Sequence, residues 1–185
     1  MTEPNTETKT LSAEGVKPPG LWVFSLALYA RPGVAPACLA LQDRFGADVN
    51  LLLAGFWRAA KGYAGWEGQE LEHAVAAVAP ANAVLRPFRE SRRALKRLLE
   101  DEPAAAPLYD EAKALELKLE QVAQAWLAAV CRISPAEKRP LPLSRVDHVE
   151  AAAVHLSAYM QMIAPDDPQA LQAAADLLGA ALSED

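Results

Sequence analysis

The sequence predicts an all-α protein, a single-domain bundle of about eight helices, on three observations. Alanine supplies 39 of the 185 residues. Val, Ile and Thr together number only 18, and all four Thr fall within the first ten residues. Alanine and straight-chain side chains lose little freedom in a helix, whereas β-branched side chains favour strands. Finally, apolar residues in the second half of the chain recur in steps of three and four, the helical period.

Residues 1–19 are polar, rich in Thr and Glu, and without periodicity, which predicts a disordered tail. The mostly apolar run from Leu21 to Ala30 is ten residues, too short to span a membrane, and the preceding segment carries Glu3, Glu7 and Glu14 against Lys9 and Lys17, the wrong sign for a secretory signal. It is therefore expected as a core helix, about 20–30, stopped by Arg31-Pro32-Gly33. A second helix is expected over 35–45, ended by Gly46, and a third over 48–61, with Asp48 in its first turn complementing the helix dipole. The third, DVNLLLAGFWRAAK, is apolar almost all round, the mark of a helix buried on most sides. A fourth is expected over 67–79, with Leu71, Val75 and Val78 on one face and Pro80 as its end.

Next come two long segments. Leu85, Phe88, Arg92, Leu95 and Leu99 step by three and four, and so do Leu108, Ala112, Leu115, Leu119, Val122, Trp126 and Ala129. A seam of this kind predicts an antiparallel helical hairpin of 83–100 and 105–132, since a short connection favours antiparallel neighbours. Ser134-Pro135-Ala136-Glu137 reads as a capping box opening a short turn. A helix from Ser144 follows, with Val146, Val149, Ala153, Leu156, Met160 and Ile163 on one face, and a last helix over about 167–182 leaves 183–185 as a tail. The globular domain is thus expected over 20–182, with Trp22, Trp57, Trp66 and Trp126 as its large anchors, and Trp22, Trp57 and Trp126 largely buried.

The chain carries a net charge of −6 and a pI of about 5.1, which disfavours wholesale nucleic-acid binding and suits a cytoplasmic protein. Its two cysteines, Cys38 and Cys131, lie in apolar contexts and make no CxxC pair, so they are expected as buried free thiols.

Three stretches carry a family likeness: the Trp22-x-Phe24-Ser25-Leu26 run ending at Tyr29, CLALQD at 38–43, and GADVNLLL followed by Trp57. They resemble the signature of a proteobacterial family of about 160 residues, a domain of unknown function, over about 20–165. The resemblance implies a small, helical, bacterial cytoplasmic protein and carries no catalytic residue across.

Candidate sites are few. No GxSxG, P-loop or GxGxxG motif is present, and no Ser-His-Asp set can be read. His148 and His155 are seven apart, not in the i, i+4 spacing of a helical metal site, so the three histidines are expected as exposed or cap-associated and no metal or cofactor is expected. Six polar residues stand out in the apolar first half: Tyr29, Arg31, Asp43, Asp48, Asn50 and Arg58. They either tie the first three helices together or line a pocket, because a buried polar group needs a hydrogen-bond partner. The segment 86–97 holds six basic residues against one acid, a net +5, with Arg86, Arg89, Arg93 and Arg97 striped down one face. Residues 100–120 carry a net −5, so the hairpin would set the stripe beside its own counter-charge. Arg92 occupies a seam position where leucine is expected, and Glu111 and Glu116 are its expected partners. Replacing Arg92 by Leu is then expected to be tolerated or stabilising.

With no catalytic motif, the leading expectation is a non-enzymatic helical protein that recognises another protein as an adaptor or regulator. The alternative is a small-ligand-binding protein or enzyme using the polar set of the first three helices. A weaker alternative has the basic stripe touching nucleic acid. A pocket of several hundred Å3 lined by those polar residues favours the second, and an exposed apolar patch the first.

Overall fold

The computed structural model describes residues 20–130 and 145–183. The fold is all-α, and 84% of the described residues are helical. Among the described residues seven helices follow in order: α1 (Leu21–Tyr29), α2 (Val34–Phe45), α3 (Val49–Ala60), α4 (Gly68–Leu98), α5 (Ala106–Val130), α6 (Arg145–Ile163) and α7 (Pro168–Leu182). The tail expected over 1–19, Cys131, the turn expected at Ser134 and the last two residues lie outside the described residues.

α3 is the axis of the bundle. Residues 50–59 are all buried, as its near-continuous apolar sequence requires, and α1, α2, α5 and α6 pack around it. α7 closes the molecule against α2 and α6. Asp48 caps α3 by accepting from the Asn50 backbone N–H at 2.8 Å, and Asp167 caps α7 in the same way through Gln169 at 2.9 Å. α2 ends at Gly46, whose φ of 71° is left-handed. Its N–H donates to Gln42, and Ala47 N–H donates to Leu41, so the last carbonyls are satisfied by a Schellman arrangement. No single helix among the described residues is long and apolar enough to cross a membrane, and α1 and α2, apolar together, meet at 100°.

Two expectations are corrected by α4. Pro80 does not end a helix, and 67–79 and 83–100 are not separate: both belong to one helix of 31 residues with Pro80 and Pro87 inside it. An internal proline removes one helical hydrogen bond and crowds the carbonyl four residues back. Here both prolines, and Ala76 and Ala83 four residues before them, are exposed, so water can reach the released carbonyls. The buried stripe Leu71, Ala74, Val78, Ala81 and Leu85 meanwhile runs in steps of three and four straight past Pro80. Packing on that unbroken stripe holds the helix through the proline.

The hairpin exists as α4 and α5, joined by a 3-10 turn at Pro103–Ala105. Its seam, however, is turned. α5 buries Glu116, Ala123, Gln124 and Leu127, not the apolar series read from the sequence. Leu108, Leu115, Val122 and Trp126 of that series are 40–59% exposed. Trp126 is therefore not a core anchor. Trp22 is half-buried, Trp57 is buried as expected, and Trp66 is buried as well. The histidine expectation also fails in part. His73 is exposed and His148 bonds the Ala59 carbonyl at 2.7 Å, but His155 is fully buried between Trp66 and Tyr159.

Candidate ligand-binding site

Four of the six polar residues singled out in the first half are structural ties. Arg31 donates to the Ala181 carbonyl at 2.6 Å and pins the α1–α2 loop to the end of α7. Asp43 is exposed and pairs with Arg93 at 2.9 Å. Asp48, besides capping α3, accepts from Asn82 Nδ2 at 2.7 Å, while its backbone N–H donates to the Tyr159 hydroxyl at 2.8 Å. Arg58 is fully buried. It donates to the Ala64 carbonyl at 2.6 Å, pairs with Glu70 at 2.9 Å and lies over the Tyr63 and Trp66 rings.

Tyr29 and Asn50 are different. Both line a cavity of about 300 Å3 enclosed by α1, α2, α3, α4 and α5. Its apolar wall is built from Trp22, Leu26, Leu39, Val49, Leu53 and Leu117. Its opposite wall is charged: Arg89, Arg92, Arg93 and Lys113 stand against Glu116 and Glu120, four cations to two carboxylates. Half of the predicted basic stripe is thus here. Arg86 lies in a shallower neighbouring depression, and Arg97 is exposed near the hairpin turn.

An ion-pair network orders the charged wall. Arg89 reaches Glu116 at 3.2 Å and Glu120 at 2.6 Å. Arg92 binds Glu116 through Nε and meets the Tyr109 hydroxyl at 3.3 Å, so Glu116 is its partner and Glu111 is not. Burial opposes the Arg89 charge, but its bonds to Glu120 more than offset that and hold the guanidinium above its ordinary pKa. Burial also raises the Glu120 carboxyl, against the pull of Arg89, and raises the Tyr29 phenol. Titratable groups displaced together at a cleft mark a functional-site candidate. Cys38, buried nearby in α2, has its thiol pushed up to about 12 by burial and is inert as a nucleophile.

The neutral groups are the telling ones. Ser25, Asn50 and Gln124 are each only 3% exposed and all line the cavity. Gln124 Nε2 donates to Asn50 Oδ1 at 3.0 Å, which leaves Asn50 Nδ2 and Gln124 Oε1 without partners. Flipping both amides would leave the same result, one free donor and one free acceptor. Ser25 Oγ has no partner either. An orphaned buried polar group costs on the order of 1–3 kcal/mol, and most proteins avoid it. The six-residue reading missed Ser25, Gln124, Glu116 and Glu120. Ser25 was readable as a lone hydroxyl in the VFSLA run. Glu116 was expected as a partner of Arg92 but not in a pocket, and Gln124 and Glu120 could not be placed without knowing which face of α5 turns inward.

A larger cleft of about 580 Å3, between α1, α3, α6 and α7, is almost wholly apolar. Its polar side chains, Arg31 and His148, each bond a backbone carbonyl, and none of its residues holds a buried polar atom without a partner. Among the described residues no cluster of His, Cys, Asp and Glu could hold a metal ion.

A family model described as a protein of unknown function, DUF2390, matches residues 20–127. The chain belongs to this family. The DUF2390 match takes in α1 to α4 and most of α5, so every residue lining the 300 Å3 cavity falls inside it, whereas α6 and α7 fall outside. No curated protein and no solved structure matches the chain.

Proposed function

We propose that this DUF2390 protein binds a small organic acid in the cavity between α1 and α5. The observation that carries the reading is the set of three buried polar side chains, Ser25, Asn50 and Gln124, that line one cavity, each with a polar atom left without a partner. A ligand whose carboxylate accepts from Asn50 and Ser25 and whose hydroxyl donates to Gln124 would satisfy them. Lys113, the cation of the charged wall that has no ion pair among the described residues, favours an acidic head group, and the leucines with Trp22 favour an apolar body. No nucleophile stands against a base in this cavity, so its groups support binding rather than covalent chemistry.

A thermal-shift and calorimetric screen of small carboxylic acids against their neutral amides tests this. The expected result is a saturable stabilisation by an acid, weaker with its amide and lost in Gln124→Leu. Stabilisation by no acid, or stabilisation that Gln124→Leu leaves unchanged, counts against the reading.

A second reading, recognition of another protein, is favoured by the exposed apolar series on α5. Nucleic-acid contact through the basic stripe has less support. Arg89, Arg92 and Arg93 are engaged by Glu116, Glu120 and Asp43, and phosphates would have to compete with them.

A further inference from the structure

The far half of the α4–α5 hairpin stands clear of the core. No residue between 86 and 115 is buried, although the segment includes most of the last four turns of α4 and the first three of α5. Two helices alone can hide only the faces they turn to each other, and this arm has more apolar surface than that. On α5, Leu108, Leu115, Val122 and Trp126 are 59%, 48%, 45% and 40% exposed, at spacings of seven, seven and four. That is the spacing of a seam made for another helix, and α5, at about 37 Å, is long enough for three repeats of it.

We infer that this face pairs with the same face of a second copy of the chain, two hairpins lying antiparallel as a four-helix bundle. Charge selects the occupant and the direction. Glu111 and Lys118 flank Leu115 on α5, and neither has an ion-pair partner among the described residues. A two-fold axis near Leu115 sets Glu111 of each copy opposite Lys118 of the other, so the pairing is made twice. A surface that complements itself under a two-fold rotation is what a closed homodimer requires. The inference stands apart from the cavity and does not depend on a ligand.

Sedimentation and light scattering of the full chain, diluted from about 100 µM, provide the test. The wild-type chain is expected as a dimer, and Leu115→Lys as a monomer with an unchanged helical circular-dichroism spectrum. Because each pair occurs twice, Glu111→Lys or Lys118→Glu alone should weaken dimerisation about tenfold, and the double reversal should restore it. A wild-type monomer at about 100 µM overturns the inference and leaves the face to residues 1–19 or to a different protein. A Leu115→Lys dimer overturns it too, as does a double reversal no tighter than either single change.

Discussion

At the centre of the bundle an imidazole takes a place where a hydrophobic side chain would be ordinary. His155 is fully buried on α6, against α3, with its Nε2 3.0 Å from the Leu51 carbonyl and its ring stacked on Tyr159. Nε2–H donates to that carbonyl, and Nδ1 has no partner. Gly55 makes room for it: a Cβ there would run into the imidazole ring, which explains a glycine in the middle of a buried helix. Burial lowers the His155 pKa from 6.5 to about 4, with the nearby Arg58 charge acting in the same direction. The consequence for stability has a definite sign. Between those two values the unfolded chain binds the proton and the folded chain does not, so acid favours unfolding. The contribution is whole above pH 6.5 and declines as pH falls toward 4, by up to about 1.4 kcal/mol per pH unit. Urea unfolding at pH 7 and pH 5 should show this loss in the wild-type chain and a smaller one in His155→Gln. Equal losses would mean that other groups set the acid sensitivity.

Among the elements, helix ends were easier to read than helix faces. Gly46 and Asp48 announced the end of α2 and the start of α3 because each acts locally, through its own backbone angle or carboxylate. Two glycines give this a quantitative form. Gly46 sits at φ 71° with open space around it, so Gly46→Ala meets strain alone and should cost about 1–2 kcal/mol. Gly179 lies inside α7, also with open space around it, and there the same substitution should gain up to about 1 kcal/mol. Thermal melts of the two variants should therefore move in opposite directions. The errors came from effects that are not local. Pro80 reads as a stop, yet the stripe from Leu71 to Leu85 keeps one register on both sides of it, and tertiary packing on that stripe outweighs the lost bond. On α5 the apolar series is real but faces outward. The inward face holds Glu116 and Gln124, because Arg89 and Arg92 on α4 and Asn50 on α3 need polar partners. Periodicity locates a helix and its stripes, but it does not say which stripe meets the core when a polar network competes for that place.

For the molecule as a whole, the DUF2390 region builds a core and then leaves polar groups unsatisfied inside it. Sequence alone supplied two of the cavity's residues from the first three helices and two more from the basic stripe, but it could not bring them together, because Tyr29, Asn50, Arg89 and Gln124 meet only when α4 and α5 fold back over α1 and α3. If Asn50 and Gln124 served stability, replacing them would weaken the fold. If they are kept for a ligand, they are a liability in the empty protein, and removing both should relieve it. Replacing both partners of a hydrogen bond by apolar groups of similar shape is close to neutral, and here it also removes two orphaned atoms that cost on the order of 1–3 kcal/mol each. The double variant Asn50→Leu/Gln124→Leu should therefore unfold at a higher urea concentration than the wild-type chain while losing the stabilisation that an organic acid confers. Either single variant should fare worse than the pair, because it strands the remaining amide without even its present bond. A double variant less stable than both singles would assign the amides to the architecture instead. Stability gained as binding is lost is the pattern expected where a buried polar group is retained for a ligand rather than for the fold.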